Sequence, residues 1–457
     1  MTTQPDLSRR TRRVLLCIYG AALLYYVLKL CWYAVNIGGT PDETAHLSYL
    51  AAITRHPALI PDFASMPLYG ILSEEGGRAL LSPVPGAVNY LGHPPLYYLL
   101  MTLADAVRLQ ADGTVLVEVL RLRFVNIVLT SAAVALAFSV GRRRLRKQRP
   151  LVHALYAAAI VTLPELGYIG SGVSNDNLAF LGFVLFFTGL VRYDEDREDW
   201  RTYGLIGIGF LLGAFSKLTA ALIMLIMLAA VLVMSILRTR SLKLVASRRF
   251  AAVLPCFLLF LAYELVIRRR YGGWQPSLAL IAPEFYETTV FYVAPESRVP
   301  MSFPAFLGHF VLGIAHSWSR AYGHHEQVNL QMDNGAAGLV FWVPAVAAAV
   351  AAAAQLIRRR CDRYTLPVML GFAGTLCWHL VSGWQGFLAS GYAGGAQARY
   401  YLFLIVPFAL ILCERFPPLF RSRKAKITGI VLALLLMVIW LAGDAPRLII
   451  TFALAKI

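Results

Sequence analysis

Apolar residues along the chain gather into runs of roughly 20, the length an α-helix needs to cross ~30 Å of hydrocarbon, and short segments dense in Lys and Arg separate them. The basic segments fall at residues 9–13, 142–149 (RRRLRKQR), 238–249, 358–363 and 415–426. The bias of Lys and Arg toward the cytoplasmic side of a membrane places all of them there, which fixes the direction of every run between them. Crossings are then expected near residues 14–36, 121–141, 151–171, 177–192, 202–216, 218–237, 251–268, 337–357, 365–385, 399–414 and 427–449. The pattern predicts an all-α polytopic membrane protein with about eleven transmembrane helices, in a range of about ten to thirteen.

Two apolar stretches do not fit this parity as crossings. HPPLYYLLMTLADAVRL, after His93, and residues 302–318 read as helices lying in the outer interface, the first opened by a Pro pair that suits a helix start. The long run 203–237 must be two helices for both flanks to be cytoplasmic, so Ser216 and Lys217 fall at an external turn. The Ala-rich stretch at 345–355 offers a small-residue face for helix packing, and no internal repeat is evident. The chain divides into a basic cytoplasmic N-terminus (1–13), a transmembrane module (14–414) with outer loops 37–120 and 269–336, and a basic loop with a last crossing (415–457).

Composition supports this class: 58% of residues are hydrophobic and 15% charged. The net charge of +17 would suit a nucleic-acid partner, but the cations sit in short loops rather than along one soluble face, so they are topology signals and no nucleic acid is implied. The 6 cysteines lie in or beside expected helices without CxxC spacing, which points to packing rather than to disulfides or zinc. The first apolar run, Val14 to Val35, is too long for a signal-peptide core and lacks an A-x-A site, so it is expected to stay attached as the first crossing.

With this topology, the polar residues collect on the outside: Asp42, Glu43, His46, His93, Asn175, Asp176, Lys217, Arg298, Arg320, His324, His325, Glu326, Asp333 and Arg399. Taken singly, TPDETAH (Thr40 to His46) and SGVSNDNLAF (Ser171 to Phe180) read as helix caps, because short polar side chains and first-turn acids satisfy helix N-termini. Their convergence with Lys217, Arg399 and His93 favours a pocket instead, since charges near lipid are costly and need partners. Tyr90, Tyr97, Tyr98, Trp274, Tyr322 and Trp384 are interfacial anchors first, and some can stack on sugar rings.

Five of these stretches, TPDETAH, GHPPLYYLL, SNDNLAF, GAFSKLTA and AQARYYLFLIVP, together resemble the pattern of GT-C glycosyltransferases. The likeness, over residues 14 to about 410, is to the protein O-mannosyltransferase and lipid A aminoarabinose transferase relatives and to a bacterial family of predicted membrane proteins. Ala398 departs from the commoner Gly before the late arginine. The resemblance implies transfer of a sugar from a polyprenyl-phosphate-linked donor to a lipid, glycan or protein acceptor, in a bacterial-type cytoplasmic membrane with the site outside. It implies Asp42 as the base, with Glu43 orienting the acceptor or helping hold a metal and His46 on the same helix face as Asp42. Lys217 and Arg399 are then the cations for the leaving phosphate, Arg320 and His324 are a third possible contact, and His93 and Asp176 help bind substrate. Asp42, Glu43, His46, Asp176, His324 and His325 offer oxygen and nitrogen donors for a divalent ion such as Mg or Mn, with Asp42, His46 and His324 as the first candidates. The same charges could line the path of a transporter or flippase for a lipid-linked or anionic substrate, but such a path calls for paired ionisable residues at mid-membrane. A scaffold without catalysis leaves the one-sided cluster unexplained.

Overall fold

The computed structural model describes residues 8–37, 39–241, 247–325, 328–359, 361–415, 417, 420 and 422–455. Helix α1 (Arg9–Asn36) starts where the Ser8 side chain accepts the Thr11 N–H, so the basic segment at 9–13 forms its first turns rather than a separate tail. A loop leads to α2 (Glu43–Arg55), and the rest of the expected outer loop folds as β1 (Pro67–Glu75), β2 (Arg78–Val88), α3 (Leu96–Thr102), β3 (Val107–Leu109) and β4 (Val115–Val117). These strands make one antiparallel sheet in the order β1-β2-β4-β3. The β1–β2 hairpin turns on Gly76 and Gly77, both at positive φ (57° and 75°), as the tight turn between the paired Glu75 and Arg78 requires.

The sheet was not expected from the polar pattern. Strand β2, RALLSPVPGAV, carries 2 prolines that mask its alternation, and β3 and β4 have 3 residues each. The sheet is held to α2 by the Tyr69 N–H donating to the Ser48 hydroxyl (3.0 Å) and by Asn89 donating to the Ala45 carbonyl (2.8 Å). A helix does form after His93, but it is short, since α3 stops at Thr102 and the polar remainder joins the sheet.

Helices α4 (Val119–Arg144), α5 (Pro150–Val161), α6 (Pro164–Gly170), α7 (Asp176–Asp194), α8 (Trp200–Ala214), α9 (Leu218–Thr239) and α10 (Arg248–Tyr271) follow. After two single-turn helices, α11 (Leu278–Ile281) and α12 (Pro283–Tyr286), come α13 (Phe303–Ser317) and a hairpin of β5 (Ala321–His325) and β6 (Val328–Met332). The chain closes with α14 (Val343–Ile357), α15 (Thr365–Ser390), a 3-10 turn over Ala398–Leu404 running into α16 (Ile405–Arg415), α17 (Arg423–Ala442) and α18 (Ala445–Ala455).

Every expected crossing is helical, yet among the described residues 8 helices are long and apolar enough to span a membrane, or 9 with the bent pair α5–α6 counted as one. Helix α8, at 15 residues, and the Ala398–Leu404 turn with α16 fall short of a full crossing. The split of the 203–237 run at Ser216 and Lys217 is as expected, and α13 is the expected short helix at 302–318. Helix α8 packs tightly on α7, where a Cβ on Gly182 would come within 2.3 Å of the Gly213 nitrogen. The 55° bend between α5 and α6 comes at Pro164, which drives Leu163 out of helical geometry (ψ 113°). The Val161 carbonyl at the break accepts from the Lys29 ammonium of α1 at 2.6 Å, and Lys29 also pairs with Asp444 between α17 and α18 at 2.9 Å.

Candidate active site

Asp42 and Glu43 are adjacent in sequence and opposite in use. Glu43 opens α2 and is buried at 5% exposure; its carboxylate accepts Arg123 Nε (3.0 Å) and Nη2 (2.6 Å), the Val173 N–H (2.9 Å) and the Thr40 N–H (3.3 Å). Arg123 in turn donates to the Ala34 carbonyl at the end of α1 (2.8 Å). One carboxylate thus ties together α1, α2, α4 and the loop before α7. Burial by itself would raise its pKa, but Arg123 and the two N–H donors hold it below the usual carboxylate range. With these donors in place, Glu43 is arranged as a brace, not as an acceptor-orienting or metal-holding group.

Asp42 sits before α2 in the left-handed region (φ 64°, ψ 11°) and makes no capping bond. That backbone turn aims its side chain away from the helix, and the capping explanation therefore fails for this residue. Its Oδ1 accepts from the Tyr90 hydroxyl at 2.8 Å and its Oδ2 from the Arg399 guanidinium, while the side chain stays 25% exposed. Burial pushes its pKa up; Arg399, with help from His46 and Tyr90, outweighs this and brings it down to about 2. Asp42 is ionised and accessible.

A second pair lies beside the first. Asp176, the first residue of α7, pairs with Lys217 at the α8–α9 turn, and its other oxygen accepts from the Ser174 hydroxyl (3.1 Å). Asn175 donates to the Ser216 carbonyl at 2.6 Å, pinning the start of α7 to that turn. The ring of Tyr400 lies under both cations, 5.0 Å from Lys217 Nζ and 5.5 Å from the Arg399 guanidinium carbon. Arg399 is 9% exposed at its side chain, and its Nε has no hydrogen-bond acceptor among the described residues. An unmet donor on a buried guanidinium is costly. It is where a further anion would gain most.

His46 does not share a helix face with Asp42, which lies outside the helix. Instead its Nδ1 meets the Tyr98 hydroxyl at 2.8 Å, and its ring stacks on His93 with centroids 6.4 Å apart. Burial pushes His46 down to about 4; burial, then Lys217 and His46, pushes His93 down to about 3. Both rings are neutral near pH 7, giving the pocket a wall that can hydrogen-bond without adding charge.

Asp42, His46, His93, Asp176, Lys217 and Arg399 are thus brought together, from loops and helix ends far apart in the chain. Arg320, just ahead of β5, has its Nε 3.6 Å from Asp333 and faces the buried Glu165 electrostatically, as Arg399, Asp176 and Lys217 also do, though it makes no direct contact with Asp42. The side chains of His324 and His325, and all of Glu326, lie outside the described residues. No group of three or more His, Cys, Asp or Glu suited to a metal occurs among the described residues. Asp42 has its oxygens engaged by Tyr90 and Arg399, and Asp176 by Lys217 and Ser174, while the third first-choice metal candidate, His324, has its side chain outside the described residues.

Several contributors escaped the sequence reading: Arg123, Tyr400 and Glu165, which is buried in the first turn of α6 where that helix packs on the Ala398–Leu404 turn. Arg123 and Glu165 carried a signal, since each is a charge inside or at the end of an apolar run. Tyr400 carried none beyond its place next to Arg399.

No family model and no curated protein matches the chain. Among solved structures it is similar to apo ArnT from Cupriavidus metallidurans, with a TM-score of 0.50 and 12% identity over 92% of this chain and 62% of that one. ArnT has also been crystallised bound to undecaprenyl phosphate, and that structure scores 0.49 at 12% identity, over 91% of this chain and 62% of that one. The oligosaccharyltransferase AglB from Archaeoglobus fulgidus, in complex with an inhibitory peptide and a dolichol-phosphate, scores 0.48 at 15% identity, over 95% of this chain and 56% of that one. The chain spans less than two thirds of the length of these proteins. It is an integral membrane protein with a fold similar to that of ArnT.

Proposed function

We propose that the chain is a glycosyltransferase that moves a sugar from a polyprenyl-phosphate-linked donor to a lipid, glycan or protein acceptor at the outer face of a bacterial-type cytoplasmic membrane. The observation that carries this reading is the Asp42 carboxylate: ionised, one quarter exposed, and set beside two cations that share one aromatic ring. The basic helix ends at the opposite pole support an outward-facing site through the positive-inside rule. In transfer, a bond forms between an acceptor oxygen and the anomeric carbon while the bond from that carbon to the phosphate oxygen breaks. Asp42 takes the acceptor proton, and the phosphate leaves as an anion against Arg399 and Lys217. Glu43 acts through Arg123 as a positioning residue.

Arg399 links binding to base strength. With no donor bound, it neutralises Asp42 and makes that carboxylate a weak base. A donor phosphate offers the guanidinium a second anion, and the unmet Nε offers it a place. As Arg399 turns toward phosphate, the burial of Asp42 is less offset and its pKa climbs toward that of a useful base. The buried Lys29–Asp444 pair, the feature a transporter would need, is closed by the Val161 carbonyl and the Tyr25 hydroxyl, which supports transfer over conduction.

The test is the reconstituted full chain with polyprenyl-phosphate sugars and candidate acceptors. Asp42→Asn should lower transfer about 10²–10⁴-fold while leaving donor binding nearly intact. Retention of more than roughly a tenth of the activity removes Asp42 from the base role. Passage of intact lipid-linked sugar across the bilayer, with the glycosidic bond never broken, would make the protein a transporter.

A further inference from the structure

At the end of the bundle away from Asp42, the starts of α5 and α17 enclose a crevice of about 240 Å³. Its mouth carries Lys147, Arg149 and Lys426, all exposed and none with an acidic partner among the described residues. Below the mouth the walls turn apolar, with Leu151 and Leu155 on α5, Ile430 on α17 and the Phe420 ring seated on Gly429. A Cβ at Gly429 would come within 2.8 Å of that ring, so the glycine is what lets Phe420 form the wall. From Lys426 to Ala433, also in the lining, the apolar wall descends about 10 Å along α17 at the helical rise of ~1.5 Å per residue.

A cationic mouth over an apolar shaft, set between two transmembrane helices, is complementary to an anionic group with a hydrocarbon tail. We infer that this crevice is a binding site for an anionic phospholipid, with the headgroup phosphate among Lys147, Arg149 and Lys426 and an acyl chain along α5 and α17. The apolar depth argues against a free phosphate ion, which would gain nothing from Leu155 or Ile430. The three cations argue against a zwitterionic lipid, whose own cation is repelled by them. The site is independent of the chemistry proposed at Asp42.

The test is native mass spectrometry of the full-length protein in detergent with equal amounts of phosphatidylglycerol and phosphatidylcholine of identical chains. The expected result is one retained phosphatidylglycerol, favoured at least about tenfold, a modest demand given ~1 kcal/mol per cation near an anionic surface. Lys147→Gln with Arg149→Gln and Lys426→Gln should bring the two lipids to parity. The equal charge loss Arg9→Gln with Arg10→Gln and Arg13→Gln should leave the preference intact, which separates the crevice from general electrostatics. A second variant, Ala433→Trp, narrows the shaft without touching charge and should weaken retention of both lipids. Parity in the unaltered protein, loss of preference in the Arg9–Arg13 control, or displacement of the lipid by equimolar glycerol phosphate would each overturn the proposal.

Discussion

The two ends of the bundle are both built from ion pairs, and they are built differently. Arg123 and Arg144, near opposite ends of α4, are separated by about 30 Å of helix. At the far end, Arg144 is shared by Asp194 (2.9 Å), Glu414 (2.8 Å) and Glu195 (4.0 Å) and stacks on Tyr364 (5.3 Å). Arg415 meets Asp362 at 2.6 Å, and Asp362 also accepts the Thr365 N–H that opens α15. Several acids surround one arginine there, and the result is a clasp for helix ends. At the near end, Arg399 has one hydrogen-bonded acid, Asp42, and an Nε with no acceptor, and Asp42 is partly exposed. Arg143 Nη2 at the far end also lacks an acceptor among the described residues, so what sets the near end apart is an unmet donor next to a partly exposed carboxylate, an arrangement that can bind and react.

The sharpest break of this contrast lies inside the near end itself. Glu43→Ala leaves Arg123 buried without its acid and should cost about 3–5 kcal/mol of stability, seen as lost folded yield or a lowered unfolding temperature. Replacing both partners, as Glu43→Leu with Arg123→Met, should recover much of that loss, because the desolvated charge is gone. A mild effect of Glu43→Ala would mean that the brace is not what positions Asp42.

Next in size is the comparison of the two arginines. Arg399→Gln should weaken donor binding and transfer together by roughly 10- to 100-fold, in line with about 1.5–3 kcal/mol for a charged hydrogen bond. Arg144→Gln should cost about 1–3 kcal/mol of stability and leave turnover per folded molecule unchanged. Equal losses of turnover from both variants would erase the division between the poles.

The kinetic link through Arg399 predicts two acid limbs. The profile of kcat/KM reports the free site, where Asp42 titrates at about 2, and so it should be flat through mildly acidic pH. The profile of kcat reports the donor complex, and its acid limb should lie at higher pH because the phosphate has drawn Arg399 away. Coincident limbs would mean that Arg399 stays on Asp42 throughout.

The smallest effect is on stability. Asp42 titrates at about 2 when folded against an ordinary 3.8, so its contribution is complete above the higher value and is lost as pH falls through the lower. His46 and His93, depressed to about 4 and about 3 from 6.5, bind protons more readily unfolded, so stability also falls as pH drops below 6.5. All three act in the same direction. In unfolding temperature against pH, His46→Gln should flatten the upper part of the slope and Asp42→Asn the lower.

The sequence by itself determined the membrane class, the helical segments and the gathering of Asp42, His46, His93, Asp176, Lys217 and Arg399 on one side, because hydrophobic run length and the placement of Lys and Arg are local properties of the chain. The tertiary structure alone decided which charges pair. Asp42 and Glu43 have the same chemistry and neighbouring positions, yet a left-handed backbone at Asp42 sends one carboxylate to Arg399, 357 residues away, and leaves the other to Arg123. The sheet between α1 and α4 and the short reach of α8 and α16 also depended on contacts: cross-strand pairing in the one case, and close packing on neighbouring helices in the other. Periodicity reports what each segment can bury, whereas the partner of a buried charge is set by whichever distant group the packed backbones bring within hydrogen-bond reach.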